Sequence, residues 1–246
     1  MSRLPRREFL RTATVAAGAV CSASALADNT PSGGSAMSDT SMSELHKPRP
    51  LPFDPARVAG LSERMLRSHW ENNYGGSVKA LNTIRQRLAE ALGDKDLPPF
   101  VYNDLKREHL MRTGSVVLHE LYFENLGGDG RAHAATRKRI AAAFGDFDTW
   151  ETEFRRIGAG LGGGSGWVLL GYNRHTAAIE NYWLADHLHG PADTVPLLVM
   201  DMYEHSYQID YGAAAAKYID AFFRNIRWDA VAARIERAGI AAQAAP

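Results

Sequence analysis

One cysteine, Cys21, stands in a chain of 246 residues, so neither an intrachain disulfide framework nor a cysteine-rich zinc site can be built from it. Neither charge is in excess: 28 basic and 28 acidic side chains cancel. A general nucleic-acid binder needs a basic surplus to offset phosphates, so that class is excluded. No apolar run reaches the roughly 18 residues that an ordinary membrane-spanning helix requires. What is present is 45% apolar and 23% charged residues, an ordinary globular balance. The length suffices for one large domain or two small ones with a substantial core.

Residues 1–27 read as an address rather than as fold. Arg6 and Arg7 adjoin, followed by Glu8, Phe9, Leu10 and Arg11, then by a weakly apolar stretch rich in Ala and Gly over 12–19. Ala25-Leu26-Ala27 supplies a small-x-small cleavage pattern. The segment reads as a twin-arginine signal peptide and is set aside from fold reasoning. The mature protein is then expected in the periplasm or secreted, with no membrane anchor. Val20 precedes Cys21 where a lipoprotein site wants a small residue, so the thiol is expected to leave with the signal. Without 1–27, 24 basic and 27 acidic residues remain, a net charge of −3. Residues 28–50 hold Ser, Gly, Pro, Thr and Asn with few large apolar side chains. Such a stretch cannot bury enough surface to offset its chain entropy, so a disordered linker is expected, with folding from Leu51 onward.

From 54 to about 145 the pattern is helical. Leu61, Met65, Trp70, Val78, Leu81, Ile84 and Leu88 recur near helical spacing, up to a stop at Gly93-Asp94. A second run covers 104–126 and is closed by Gly127-Gly128-Asp129-Gly130; a third covers about 131–145. Asp148, with Glu151 three residues on, resembles an N-cap for a helix to about 157. Beyond the glycine-rich 158–166, apolar runs at 167–170, 176–184 and 195–200 read as three short strands, and helices are expected around 212–223 and 228–237. The expected class is α+β: an N-terminal helical hairpin domain, 51–145, then a C-terminal α/β domain, 146–246, with a small three-stranded antiparallel sheet.

Nine histidines are available for chemistry: 46, 69, 109, 119, 133, 175, 187, 189 and 205. Three lie on otherwise apolar structure. His69 is within the first long helix, and His119 sits in Val116-Val117-Leu118-His119-Glu120-Leu121-Tyr122-Phe123. His205 follows Asp201 by four, just after the third strand. Three neutral imidazoles and a carboxylate suit a metal such as Fe, Mn or Zn, and donor chemistry alone does not choose among them.

Asp201-Met202-Tyr203-Glu204-His205-Ser206-Tyr207 resembles the Asp-x-aromatic-Glu-His-small-aromatic signature of the iron/manganese superoxide dismutases. Leu51-Pro52-Phe53, Ser68-His69 with Leu81-Asn82, His119 with Tyr122, Phe144-Gly145-Asp146-Phe147, Gly164-Ser165-Gly166-Trp167 and Asn225-Ile226-Arg227-Trp228 follow that family's order, so the resemblance spans roughly 51–238. It implies one Fe or Mn ion per subunit, held by His69, His119, Asp201 and His205 with a water or hydroxide as fifth ligand. It implies disproportionation of superoxide to O2 and H2O2. It also implies a homodimer in which Glu204 reaches the partner's ligand His205, with Tyr207 beside it at the bridge.

The surroundings of the ligands depart from the family. Where the family commonly has His and Tyr four and eight residues after the first ligand, this chain has Asn73 and Ser77. At helical spacing 69, 73 and 77 share a face, so Ser77 is expected to line a channel mouth that a gateway Tyr would otherwise narrow. Gln208 replaces an aromatic that usually meets the partner's His, so Asn73 and Gln208 read as a paired amide replacement. Ser115 stands where one branch places a solvent-gating Gln; His187, with His189 close behind, is the candidate from the sheet side. Phe123, Met202 and Tyr203 stand where larger aromatics are common, while Trp167 is kept. A catalytically weak metal-binding relative is the competing expectation, because the gateway Tyr is missing.

Overall fold

The computed structural model describes residues 45–239. The expected signal peptide at 1–27, with Arg6, Arg7 and Cys21, lies outside the described residues, as does most of the expected linker.

The chain enters through a 3-10 turn, Pro55–Arg57, and a short helix α1, Glu63–Ser68, started by Ser62, whose hydroxyl accepts from the Met65 N–H at 3.1 Å. A π-helical turn, His69–Tyr74, follows and continues into α2, Gly75–Gly93. Pro98 and Pro99 start α3, Pro99–Glu124, where a missing N–H costs nothing. Helices α2 and α3 pack as a hairpin. Helix α4, Ala134–Phe144, stops at Gly145, whose φ of +86° few other residues would adopt. Helix α5, Phe147–Leu161, is capped by Asp146, whose carboxylate accepts from the Thr149 N–H at 2.6 Å. The cap expected at Asp148 is therefore one turn-start too late, because the Asp146 carboxylate reaches the free N–H first.

Strands β1, Trp167–Asn173, β2, Ala178–Leu184, and β3, Thr194–Asp201, form an antiparallel sheet in the order β2-β1-β3. The register sets Trp167 of β1 opposite Asp201 of β3, with a bulge between Leu170 and Gly171. Helices α3 and α8 pack on β3, and α5 packs on β1 and β2. The inner ends of β1 and β3 are therefore buried and read as continuous apolar runs rather than alternating ones. A 3-10 turn, Glu204–Ser206, leads to α6, Gln208–Tyr211, α7, Ala215–Arg224, and α8, Trp228–Arg237. Trp150, Phe154, Trp167 and Phe222 are fully buried in a core that runs through the helical and sheet halves without a break. Each such side chain contributes on the order of 1.5–3 kcal/mol.

Two expectations change here. Residues 45–50, assigned to a disordered linker, are docked: the His46 backbone N–H and C=O both bond the Asn82 side chain, at 3.0 and 2.9 Å, and the Arg49 N–H bonds the Tyr74 hydroxyl at 2.7 Å. The few apolar residues there suggested disorder, but polar groups on the hairpin supply the partners. The single helix expected up to Gly93 is interrupted by the π turn, in which the Gly75 N–H reaches back five residues to the Trp70 carbonyl. Among the described residues no helix is long and apolar enough to cross a membrane.

Candidate metal centre

Four side chains from four elements of the fold converge. His69 comes from the π turn, His119 from the C-terminal part of α3, Asp201 from the end of β3 and His205 from the turn after it. One ligand atom from each lies within 4.8 Å of every other. Asp201 Oδ2 is 3.1 Å from His69 Nε2, 3.7 Å from His119 Nε2 and 3.4 Å from His205 Nε2. These are the separations that ligands about 2 Å from one ion adopt. All four atoms are buried and have no hydrogen-bond partner within the described chain. Burying four such atoms without partners costs several kcal/mol, and a shared cation is what satisfies three nitrogens and an oxygen at once. The donor set thus fits a divalent or trivalent transition metal.

The protonation states suit it. Burial would raise the Asp201 carboxyl, but His205 and His69 beside it override that and hold it well below the usual range. Burial pushes His119 down to about 3, with neighbouring His69 adding to the effect. His69 is lowered by burial against the pull of Asp201. His69 and His119 are therefore neutral at pH 7 and present lone pairs.

Hydrogen bonds fix the orientation of His119 and Asp201. His119 Nδ1 donates to the Ser115 carbonyl at 2.7 Å, which leaves Nε2 unprotonated and aimed at the centre. Asp201 Oδ1 accepts from the Tyr203 N–H at 2.8 Å, freeing Oδ2 for the imidazoles. The Asp201 carbonyl accepts from Ser206 Oγ at 3.1 Å and from the Tyr218 hydroxyl at 2.6 Å. Tyr218 in turn lies 3.3 Å from the Tyr122 hydroxyl, and the Tyr122 ring is 5.2 Å from that of His69. Phe123 stands 5.0 Å from His69, and Trp167 stands edge-on to His119 at 5.1 Å. Met202 is fully buried.

His187 is half-buried, with its ring 5.8 Å from that of His119 and stacked on Tyr203 at 4.7 Å. Trp167 Nε1 donates to His187 Nδ1 at 3.0 Å. An indole can only donate, so neutral His187 carries its proton on Nε2. Burial lowers its pKa, which keeps it neutral. Burial also raises the Tyr203 hydroxyl to about 12, with Asp201 adding to it. His189, the alternative, is exposed and bonded to Asp186.

Three residues are placed otherwise than expected. The π turn adds a residue to the local repeat, so Tyr74 rather than Asn73 turns inward: Tyr74 is 1% exposed and Asn73 half-exposed. Ser77 is buried rather than set at an open mouth, its Oγ 2.8 Å from Ser115 Oγ, which is itself 3.3 Å from His119 Nδ1. Tyr207, expected at a subunit bridge, is buried within its own chain; its ring stacks on Tyr218 and its hydroxyl accepts from the Gly163 N–H at 3.0 Å. Glu204 and Gln208 are exposed on this chain.

Sequence reasoning passed over Glu120, Tyr218 and Asn125. Glu120 is a carboxylate in an otherwise apolar run, a signal that was there to read. Asn125 ties α3 to β3 through the Val199 carbonyl at 2.8 Å and accepts from buried Arg234 of α8.

A sequence profile described as iron/manganese superoxide dismutases, C-terminal domain, matches residues 132–234. The chain is 48% identical over 194 residues to "Superoxide dismutase [Fe]" of Cupriavidus metallidurans, spanning 79% of this chain and 98% of that protein. It is 34% identical to "Superoxide dismutase [Fe]" of Aquifex aeolicus, over 79% of this chain and 93% of that protein. It is 33% identical to "Superoxide dismutase [Mn] 1" of Halobacterium salinarum, over 80% and 98%.

Proposed function

The chain belongs to the iron/manganese superoxide dismutases, and from that premise we propose that it is an exported, homodimeric superoxide dismutase with one Fe or Mn ion per subunit. The observation that carries the activity is the convergence of four buried donor atoms within 4.8 Å. Iron or manganese held there would supply a one-electron +3/+2 couple, the chemistry by which two superoxide ions and two protons become O2 and H2O2. The chain's own residues do the rest. His69, His119, Asp201 and His205 would hold the ion, with the Ser115 carbonyl orienting His119 and the Tyr203 N–H orienting Asp201. Trp167, Phe123 and Tyr122 wall the site and exclude bulk water. His187, with Nε2–H set by Trp167 and its ring 5.8 Å from that of His119, is the imidazole outside the ligand set placed to pass protons inward. The weak metal-binder reading is not favoured, since the similar proteins carry the enzyme's name.

Assembly rests on Glu204. It is exposed and adjoins His205, the ligand whose side chain keeps 26% exposure, so a second copy covering this face would complete the site. Export rests on Arg6-Arg7 and the small-x-small pattern at 25–27. Replacing both arginines by lysine should trap the precursor in the cytoplasm; unchanged appearance outside it refutes this. Metal analysis of the purified chain with a dismutation assay tests the activity. About one Fe or Mn per chain with superoxide removal is the expected result, and a metal-loaded but inert protein would refute it.

A further inference from the structure

Residues 45–50 make more directed contacts with the site's scaffold than a passing segment needs. The Glu120 carboxylate, 8% exposed and next in sequence to His119, gathers them. Its Oε1 accepts from His46 Nε2 at 2.6 Å and from the Tyr74 hydroxyl at 2.9 Å, and its Oε2 faces Arg49 Nε at 3.2 Å. Tyr74 accepts in turn from the Arg49 N–H, and Trp70 Nε1 donates to the Arg49 carbonyl at 2.9 Å. Asn82 of α2 clamps the His46 backbone from both sides. One short segment thus bonds the π turn that carries His69, the middle of α2, and the helix that carries His119. The Tyr74 ring lies 6.4 Å from the His119 ring and 6.1 Å from that of Phe123, directly behind the ligands.

We propose that residues 45–50 are a strap that positions His69 and His119 for the metal, with Glu120 as the positioning residue that closes it onto both ligand-bearing segments. The physical reason is the π turn. A π turn is less tightly determined than an α-helix, and it sits where the position of His69 matters most. Tying Trp70 and Tyr74, one and five residues beyond His69, to Glu120, one residue beyond His119, sets the register of the two helices against each other. By thermodynamic reciprocity, a strap that raises metal affinity must itself be held more firmly when the metal is bound, by the same factor.

The inference rests on the four-ligand reading, and its test separates the two. In the full-length purified protein, Fe or Mn release into excess EDTA is timed for the parent, His46→Ala, Tyr74→Phe, Glu120→Ala and Glu120→Gln. Tyr74→Phe keeps the ring packing and unties the strap. His46→Ala, Tyr74→Phe and Glu120→Ala should release metal about tenfold faster. Glu120→Gln, which keeps an oxygen acceptor, should recover most of the parent's retention. Hydrogen exchange at the His46 and Arg49 amides should slow by a similar factor on metal loading of the parent. Equal exchange with and without metal, together with unchanged release in the variants, overturns the strap. Variants that merely lower the unfolding temperature of the metal-free chain, with no metal-dependent amide protection in the parent, also overturn it. A parent that takes up no metal refutes the metal centre, and the strap's role with it.

Discussion

Gly114→Ala tests whether the seating of one loop on α3 sets the activity. Gly114 lies five residues before His119, and a Cβ there would stand 1.9 Å from the His187 carbonyl oxygen and 3.0 Å from its carbonyl carbon. Backbone atoms cannot swing aside as the tip of a side chain can. To regain an ordinary contact near 3.5 Å the loop must retreat by about 1.5 Å. It moves as a body, since the Asp186 carboxylate is tied to the Leu188 N–H at 2.6 Å and to His189 at 2.8 Å. The 3.0 Å bond from Trp167 to His187 Nδ1 would then be broken, and with it the proton placement on Nε2. A misplacement of that size costs on the order of 100-fold in turnover, and the overpacking costs about 1–3 kcal/mol of stability. Metal content should stay at the parent's level, because no ligand moves with the loop. The assay is dismutation rate per bound metal, with thermal unfolding alongside. A folded, metal-replete Gly114→Ala protein working within about twofold of the parent's rate would show that His187 placement does not matter or that the loop does not seat here.

His119→Ala should lose most bound Fe or Mn while the chain stays folded, whereas His109→Ala and His133→Ala should keep it; His133 is spent on a surface contact to Asp229 at 2.8 Å. Elemental analysis decides, and full metal in His119→Ala would refute the ligand set. Asp146→Ala should lower the unfolding temperature at pH 7 by removing the cap of α5. Bonds from Thr149 hold the Asp146 carboxyl below its ordinary 3.8. A depressed carboxyl stabilises the fold above its unfolded value and loses that as pH falls through the folded one, so the gap between parent and variant should close in acid. A gap that persists below that range would refute the cap. Glu204→Ala should shift the protein from dimer to monomer in light scattering and weaken metal retention; a metal-loaded, active monomeric parent would contradict the assembly.

The four clustered residues are legible in the sequence because their signals are local. A histidine inside an apolar helical stretch, or an Asp and a His four apart at a strand end, stands out against its own neighbours, and burial of the surrounding side chains then forces it inward. The strands, too, announced themselves as short apolar runs between Gly, Pro and Asn. The order of the segments and their likeness to a known family point to the same four residues whose side chains the fold brings within 4.8 Å of one another. What the sequence left open depends on groups far apart in the chain. His46 meets Glu120 across 74 residues, and Tyr207 meets Gly163 across 44. No window of local pattern contains both partners, so from sequence 45–50 reads as a tether and Tyr207 as part of a subunit bridge. The register error at 69, 73 and 77 has the same origin. Helical spacing assumes a uniform repeat, but the chain takes a π turn in which Tyr74, buried toward Glu120 and bonded to the docked strap, occupies the inward direction. Only the packing of the hairpin against residues 45–50 decides which side chain of the turn is buried, because that choice is made by tertiary contacts stronger than the small difference between one helical repeat and another.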